Sequence, residues 1–226
     1  MSEAPVLQAE ELRKVFHREG YDIEVLKGIS LSLSRGETAG VVGISGAGKT
    51  TLLQILGTLD RATSGRVLYG GVDVTDLPPD KMAAFRNRSV GFVFQSHNLL
   101  PEFSVLENVM LPCLIAQMDP VEARRRAVAL LAEVGLSERV AHRTGEISGG
   151  EQQRTAICRA LVMEPSVLLA DEPTGNLDRA TASGVLDLLL EINRSRGLSI
   201  LMVTHNDRMA SRLHRVIRID DGRIAS

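Results

Sequence analysis

A short glycine-rich stretch constrains the fold of this chain more than any other feature. GISGAGKTT, residues 43–51, follows the apolar run TAGVVG and leads into the helical pattern KTTLLQILGTL. It matches G-x-x-x-x-G-K-[ST], in which glycines let backbone N–H groups wrap phosphate oxygens at a helix N-terminus. The alternative is a glycine-rich turn that only connects a strand to a helix. Because the stretch directly follows a buried-strand pattern, we predict a strand, a phosphate-binding loop and a helix.

The residue types of this loop predict individual roles. Lys49 is expected to reach the β- and γ-phosphates of a nucleotide, and the Thr50 hydroxyl to bind Mg²⁺. The predicted nucleotide contacts are Gly43, Ser45, Gly46, Ala47, Gly48, Lys49, Thr50 and Thr51.

Composition excludes several other classes of protein. The chain has 226 residues, of which 44% are hydrophobic, which suits an α/β domain with a modest subdomain. The net charge is −2 and the 26 Lys and Arg residues are scattered, so no basic run indicates a nucleic-acid or anionic-lipid surface. Cys113 and Cys158 lie far apart, which argues against disulfides or zinc and favours a reducing, cytoplasmic location.

No segment resembles a leader or a membrane span. The first residues lack a basic stretch followed by an apolar one, and no apolar run approaches the roughly 18 to 20 residues that cross a bilayer. Any membrane role is therefore expected to depend on a partner.

The rest of the chain predicts a mainly parallel α/β sheet with an inserted helical subdomain. VLQAEELRKVF and EVLKGISLSLS alternate polar and apolar residues, as half-exposed antiparallel edge strands do. Residues 96–161 have helical spacing, with Gly135 as a helix stop. SVLLADEP and LSILMVTH are buried-strand patterns around the helical RATASGVLDLLLEINRSR. We predict a core of residues 1–95 and 162–226 and a helical subdomain of residues 96–161.

Acidic residues end one predicted strand. VLLADEP places Asp171 at the carboxyl edge of the sheet, where it could serve a magnesium ion held by the loop. Glu172 follows it and could polarise an attacking water as the catalytic base. The alternative is a solvated turn that merely ends the strand.

Two further polar residues follow strand-like runs. His205 ends LMVTH and could hydrogen-bond a γ-phosphate oxygen, although such a histidine is often only a satisfied edge residue. Gln95 ends FVFQ, and its amide could bind both Mg²⁺ and the attacking water and report the nucleotide state. An isolated glutamine is more often simply polar surface.

A second helix start can also bind an anion. Ser148, Gly149 and Gly150 precede the helical EQQRTAICRALV, so their N–H groups and the serine hydroxyl could hold a phosphate. Ser148 with Glu151 is equally a capping box, which would have no ligand. Alone, the capping box is the favoured interpretation.

Taken together, GISGAGKT, FVFQ, ISGGEQQR, LLADEP, GNLD and MVTH resemble, in this order, the ATP-binding subunits of ABC transporters. The resemblance covers almost the whole chain and implies the ABC ATPase fold, with ATP and Mg²⁺ as cofactors. It implies a head-to-tail homodimer in which ATP lies between the loop of one chain and the signature of the other. The signature residues are Ser148, Gly149, Gly150, Glu151 and Gln152, and the segment from Gly175 to Asp178 would cross the dimer between the nucleotides. Phe16 takes the position of the adenine-stacking aromatic, with Tyr21 the weaker alternative.

A finer resemblance lies in FQSHNLLPEFSVLENVMLPCLI. It is similar to the lipoprotein-releasing (LolD) branch of the family, with the macrolide-export and cell-division branches as alternatives. The resemblance implies LolC/LolE-like transmembrane permease subunits docked on the region after Gln95, at the cytoplasmic face of the inner membrane. A soluble family member acting on DNA or ribosomes is the more distant alternative, which the lack of a second cassette and of a basic patch disfavours.

Overall fold

The computed structural model describes residues 4–225 and contains two β-sheets and a set of helices. The strands are β1 (Leu7–Arg18), β2 (Tyr21–Leu33), β3 (Thr38–Val42), β4 (Ser64–Tyr69), β5 (Val72–Asp73), β6 (Val90–Phe94), β7 (Val167–Asp171), β8 (Ser199–Val203), β9 (Arg215–Asp220) and β10 (Arg223–Ile224). The α-helices are α1 (Lys49–Leu56), α2 (Pro79–Ser89), α3 (Val105–Ile115), α4 (Pro120–Glu133), α5 (Gly149–Leu161), α6 (Arg179–Arg196) and α7 (Asp207–Ala210).

The central sheet has the order β10-β9-β3-β8-β7-β6. Its strands are parallel except β10, which pairs antiparallel with β9. Both β3 and β8 are buried along their whole length, as their apolar runs predict. Asp171 of β7 pairs with Val203 of β8 and with Phe94 of β6, so these strands end together. The residues that follow the strands therefore meet at one carboxyl edge of the sheet.

The predicted antiparallel sheet is confirmed, with the order β2-β1-β4-β5. One side of each long strand is buried in a core that also contains residues of α1 and of the central sheet. The sequence pattern did not predict strands β4, β5, β9 and β10 or helices α2 and α7.

Helices α3 to α5 lie within the stretch predicted to be helical, although residues 96–104 contain no helix. The predicted stop is correct, because α4 ends at Glu133 and Gly135 has a φ of 73°. These helices share one apolar core with α6 and the second face of the central sheet. A separate subdomain of residues 96–161 stays a prediction. Across residues 4–225, every helix is too short or too polar to cross a membrane.

Helix α6 matches its predicted bounds. The carboxylate of Asp178 caps its first turn by accepting from the N–H groups of Ala180 and Thr181, and the helix ends at Gly197 with a φ of 64°. The cap fixes the backbone at the end of the segment 172–178, which joins β7 to α6.

Candidate active site

A cavity of about 520 Å³ lies at the carboxyl edge of the central sheet. It brings together three groups of residues that the sequence predicted separately: the glycine-rich loop, the acidic pair after β7 and the histidine after β8. The lining residues are Val25, Gly43, Ser45, Gly46, Gly48, Lys49, Thr50, Thr51, Asp171, Glu172, Val203 and His205.

Backbone geometry explains the glycines of the loop. Gly48 has a φ of 97°, and a Cβ there would lie 2.9 Å from the carbonyl oxygen of Val25. A Cβ at Gly43 would lie 2.2 Å from the carbonyl oxygen of Ile219. Other residues at these two positions would displace the loop.

The start of α1 is suited to an anion. Gly48 precedes the helix and supplies no side-chain cap, which leaves the first amides of α1 to a ligand or solvent. The Lys49 ammonium donates to the carbonyl oxygens of Gly43 and Ile44, both at 2.9 Å, and so spans the loop. A cation and a row of N–H groups thus face the same cavity. Ala47 belongs to the loop but is buried and does not line the cavity.

Thr50 and Asp171 provide paired oxygen atoms. The Thr50 hydroxyl donates to Oδ1 of Asp171 at 3.4 Å, although the two residues are 121 positions apart in the chain. Burial raises the pKa of Asp171, while the hydrogen bond from Thr50 opposes that shift. Hydroxyl and carboxylate oxygens are the ligands that Mg²⁺ prefers, so this donor set fits the predicted metal.

Glu172 is held in an unusual backbone conformation. Its φ is +46°, which is uncommon for a residue with a side chain, and its N–H donates to the Val203 carbonyl oxygen at 2.9 Å. The turn lets Glu172 line the same cavity as Asp171, as the sequence predicted. Oε1 of Glu172 lies 3.0 Å from Nδ1 of His205, and the Glu172 side chain is only 17% exposed.

Gln95 lies outside the lining of this cavity. Its amide donates to Oδ1 of Asn176 at 3.0 Å, and the Asn176 amide donates back to the Gln95 carbonyl oxygen at 3.1 Å. This reciprocal pair joins the end of β6 to the segment before Asp178. The roles of Gln95 toward Mg²⁺ and water stay predictions.

The predicted adenine-stacking residue also lies outside the lining. Phe16 is 40% exposed in β1 and pairs with Ile23 of β2, and the Lys14 ammonium lies 4.8 Å from its ring centroid. Val25 is the residue of this hairpin that reaches the cavity. Tyr21, the alternative, is 59% exposed in the same hairpin, so stacking by either residue stays a prediction.

The second predicted anion site forms a complete capping box. The Ser148 hydroxyl donates to Oε2 of Glu151 at 2.8 Å and accepts from the Glu151 N–H at 3.3 Å. Oε2 also accepts from the Ser148 N–H, and Arg139 donates to Oε1 at 2.9 Å. The hydrogen bonds from Ser148, reinforced by Arg139, lower the pKa of Glu151 to about 2. The predicted capping box is thus present, and it leaves the N–H groups of Gly149 and Gly150 at the helix start.

The start of α5 lies close to the start of α6. A Cβ at Gly150 would lie 2.6 Å from Cγ2 of Thr181, so this approach requires glycine. Gln152 donates to the Thr144 carbonyl oxygen at 2.9 Å. Within the described part of the chain, residues 148–152 contribute nothing to the lining of the cavity at the glycine-rich loop. The two helix starts that are predicted to bind anions therefore lie apart from each other within one chain.

The sequence assigned no role of their own to two residues near the site. Asn176 holds Gln95, and Gln153 of α5 donates to the Pro173 carbonyl oxygen beside Glu172 at 2.6 Å. A signal for Gln153 was available, because it interrupts the buried stripe of α5 between Gly150 and Ile157. Asn176 lies in the GNLD segment, but that pattern does not identify Gln95 as its partner.

Comparisons with known proteins extend these observations. The model of the family described as "ABC transporter" matches residues 26–175. The lipoprotein-releasing system ATP-binding protein LolD of Syntrophus aciditrophicus is 53% identical over 98% of this chain and 99% of its own length. The LolD protein of Geobacter metallireducens is 52% identical over 98% of both.

Solved structures show the same fold. The dimeric structure of MJ0796, a bacterial ABC transporter cassette, has a TM-score of 0.89 and 36% identity, with 97% of each chain covered. A dimeric post-hydrolysis state of MJ0796 bound to ADP and Pi has a TM-score of 0.89 and 35% identity over 97% of each chain. The predicted α/β fold, with a mainly parallel sheet and an antiparallel one, is confirmed.

Proposed function

Since the chain belongs to the ABC transporter family of ATP-binding domains, we propose that it powers a membrane complex that releases lipoproteins from the inner membrane towards the outer membrane. The protein is an ABC-type ATPase. The lipoprotein assignment is supported by the relatives named LolD, which are 53% and 52% identical over nearly their whole lengths. The catalytic assignment is supported by one observation, the convergence of the loop, the acidic pair and His205 on one cavity.

In the proposed reaction, different residues of the cavity bind the phosphates, activate the water and hold the metal ion. The loop amides and Lys49 bind the phosphates, and Glu172 accepts a proton from the attacking water while His205 orients the γ-phosphate. Thr50 and Asp171 would hold Mg²⁺, with Gln95 as a further predicted ligand. The ion would neutralise charge on the β- and γ-phosphates.

The proposed active unit is a head-to-tail homodimer. The Ser148 end of α5 has N–H groups suited to a phosphate but lies outside the cavity of its own chain. A second copy would place this helix start over the ATP held by the first, and the same contact would form twice. The MJ0796 cassettes, which share the fold and are dimeric, support the formation of a dimer.

The proposed permease-docking surface is the loop after Gln95. Leu100 and Phe103 are 41% and 37% exposed there, which offers apolar contacts to a membrane subunit. Asn108, which is fully buried, accepts from the Leu100 N–H at 2.8 Å and donates to the Leu100 carbonyl oxygen at 3.0 Å. The loop is thus held in one shape for LolC/LolE-like permease subunits, at the cytoplasmic face of the inner membrane. The lipoprotein would not touch this chain and would be handled by the other subunits of the complex.

Affinity purification tests this proposal. The tagged chain is extracted from its native membranes in detergent, and the bound membrane subunits are identified by mass spectrometry. We expect permease subunits whose reconstituted complex releases a lipoprotein from vesicles when ATP is added. The variant Phe103→Asp should lose them, whereas Val121→Asp, at an exposed position of α4, should retain them. Recovery of an efflux or cell-division permease instead would overturn the lipoprotein assignment.

A further inference from the structure

Gln153 joins the signature helix to the turn that carries Glu172. It is fully buried in α5, five residues after Ser148. Its Nε2 donates to the carbonyl oxygen of Pro173 at 2.6 Å, and Pro173 directly follows Glu172. The bond therefore connects α5, which begins at the predicted anion site of Ser148, to the backbone of the turn that carries Glu172.

The Glu172 turn is anchored on two sides. On the strand side, the Glu172 N–H donates to the Val203 carbonyl oxygen at 2.9 Å. Within the turn, the Glu172 carbonyl oxygen accepts from the Gly175 N–H at 3.0 Å. Pro173 has no N–H, so its carbonyl is the one backbone group through which that residue can be hydrogen-bonded. Gln153 supplies the partner for that carbonyl. A backbone with a φ of +46° at Glu172 persists only where its surroundings hold it in place.

A glutamine at position 153 is less favourable for packing than an apolar side chain, because its polar amide is buried. Neighbouring positions of the stripe, such as Ile157 and Leu161, are apolar and buried. Within residues 4–225, Oε1 of Gln153 has no hydrogen-bond partner, so the buried amide is only half satisfied. An apolar side chain would fill the space without this cost. What the glutamine supplies is the donor to Pro173.

We propose that Gln153 is a positioning residue that orients the Glu172 carboxylate through the Pro173 carbonyl. This inference rests on the proposed role of Glu172 as the base in a head-to-tail dimer. Because α5 begins at Ser148, which faces the partner's ATP in that dimer, Gln153 also links each nucleotide to the base that acts on the other one.

The dimer offers a way to separate this role from general support of α5. In each proposed site, Glu172 comes from one chain and Ser148 from the other. If Gln153 positions Glu172, its loss must slow the site that contains the Glu172 of the same chain. If Gln153 only stabilises α5, its loss must instead slow the site that receives the Ser148 of that chain.

The experiment uses two full-length copies joined in tandem, with Glu172→Gln in one copy so that a single base remains. Gln153→Met is placed either in the copy with the intact base or in the other copy. We expect the first arrangement to lower kcat about tenfold or more, with less than about a twofold change in the KM for ATP. The second arrangement should change kcat less than about twofold. An equal or larger loss in the second arrangement would overturn the proposal.

Two controls make the result decisive. Rates are expressed per bound ATP, and Gln153→Asn, which shortens the side chain, must give the same pattern if Gln153→Met folds poorly. Asn193→Leu removes a comparable buried amide, which donates to the carbonyl oxygens of Gly36 and Leu198 at the opposite edge of the sheet. It should lower stability and leave kcat unchanged. The proposed function fails if the tandem dimer that retains Gln153 in both copies does not bind or hydrolyse ATP. If that dimer is active and the Gln153 variants have no effect, only this inference fails.

Discussion

The carboxylate of Glu172 lies 3.0 Å from Nδ1 of His205. The two side chains follow neighbouring parallel strands, β7 and β8, and both line the cavity of the glycine-rich loop. Glu172 is shielded from solvent, whereas the His205 side chain is 72% exposed. Glu172, the proposed base, thus contacts a neighbour that remains accessible to a third group, such as a γ-phosphate oxygen.

Glu172→Gln should trap a dimer with bound ATP. Glutamine keeps the size of the side chain and its contact with His205 but cannot accept the proton of water. We expect turnover to fall by about 10² or more, because general-base catalysis contributes on that order. Light scattering with ATP should show a stable dimer, and a variant that stays monomeric would contradict the assigned role. Glu164→Gln, at an exposed glutamate that also has a positive φ of 55°, is the matched control.

Lys49→Ala should weaken nucleotide binding. The substitution removes the ammonium that donates to the carbonyl oxygens of Gly43 and Ile44. This ammonium is the cation that is predicted to contact the phosphates. We expect ATP affinity, measured by titration calorimetry, to fall by about tenfold or more. Lys81→Ala, at an exposed lysine of α2, should bind ATP like the unmodified chain. Equal affinities of all three proteins would rule out the phosphate-binding role of Lys49.

Ser148→Ala should separate ATP binding from ATP turnover. Ser148 lies outside the cavity, so ATP binding by the monomer should be unchanged, while turnover by the dimer should fall. Ser104 forms the same capping box with Glu107 at the start of α3. Ser104→Ala should therefore cost the same stability, about 1 kcal/mol, without the loss of turnover in the isolated chain. A parallel loss of binding and turnover in Ser148→Ala would indicate that the signature acts within its own chain.

The Glu151 carboxylate should stabilise the chain in a pH-dependent way. Its pKa is lowered from 4.5 to about 2 in the folded chain, so its contribution is fully present above the unfolded value and is lost as the pH falls through the folded one. Glu151→Gln should thus lower the melting temperature at pH 7, and the difference from the unmodified chain should narrow between pH 4.5 and pH 2. Thermal denaturation over this range tests the prediction. A difference that widens in acid would contradict it.

Asn108→Leu should loosen the proposed docking loop. The buried amide also donates to the Ser104 carbonyl oxygen at 3.0 Å, so leucine would leave several backbone groups of the loop without partners. We expect a loss of about 2 to 4 kcal/mol in unfolding free energy, measured by denaturant titration, together with weaker recovery of permease subunits. Unchanged recovery of those subunits would show that docking does not depend on this loop.

Local patterns predicted the elements of the site well. Strand β3 and helix α6 were predicted because an uninterrupted apolar run and a regular helical stripe are properties of neighbouring residues. The same holds for the capping box at Ser148, whose partner is three residues away. Parallel strands then force the residues after them to one edge, which is why the cavity could be anticipated from separate motifs.

Contacts between distant segments were the part that the sequence did not predict. Gln95 and Asn176 are 81 residues apart, and which amide pairs with Gln95 depends on how β6 and the segment after β7 are placed. The bond from Gln153 to Pro173 depends in the same way on the packing of α5 beneath the acidic turn. The reverse case is Phe16, for which the sequence predicted a contact that the structure does not show. It was predicted to stack on adenine, but it does not line the cavity.

The separation of the two helix starts that are predicted to bind anions has a genetic consequence. In the proposed dimer, one damaged chain spoils a site that an intact chain helps to build. When intact chains and chains carrying Lys49→Ala are made in equal amounts and pair at random, only about a quarter of the dimers contain two intact chains. Each mixed dimer retains one complete site, so a single defective allele should act dominantly over the normal one only if transport requires both sites.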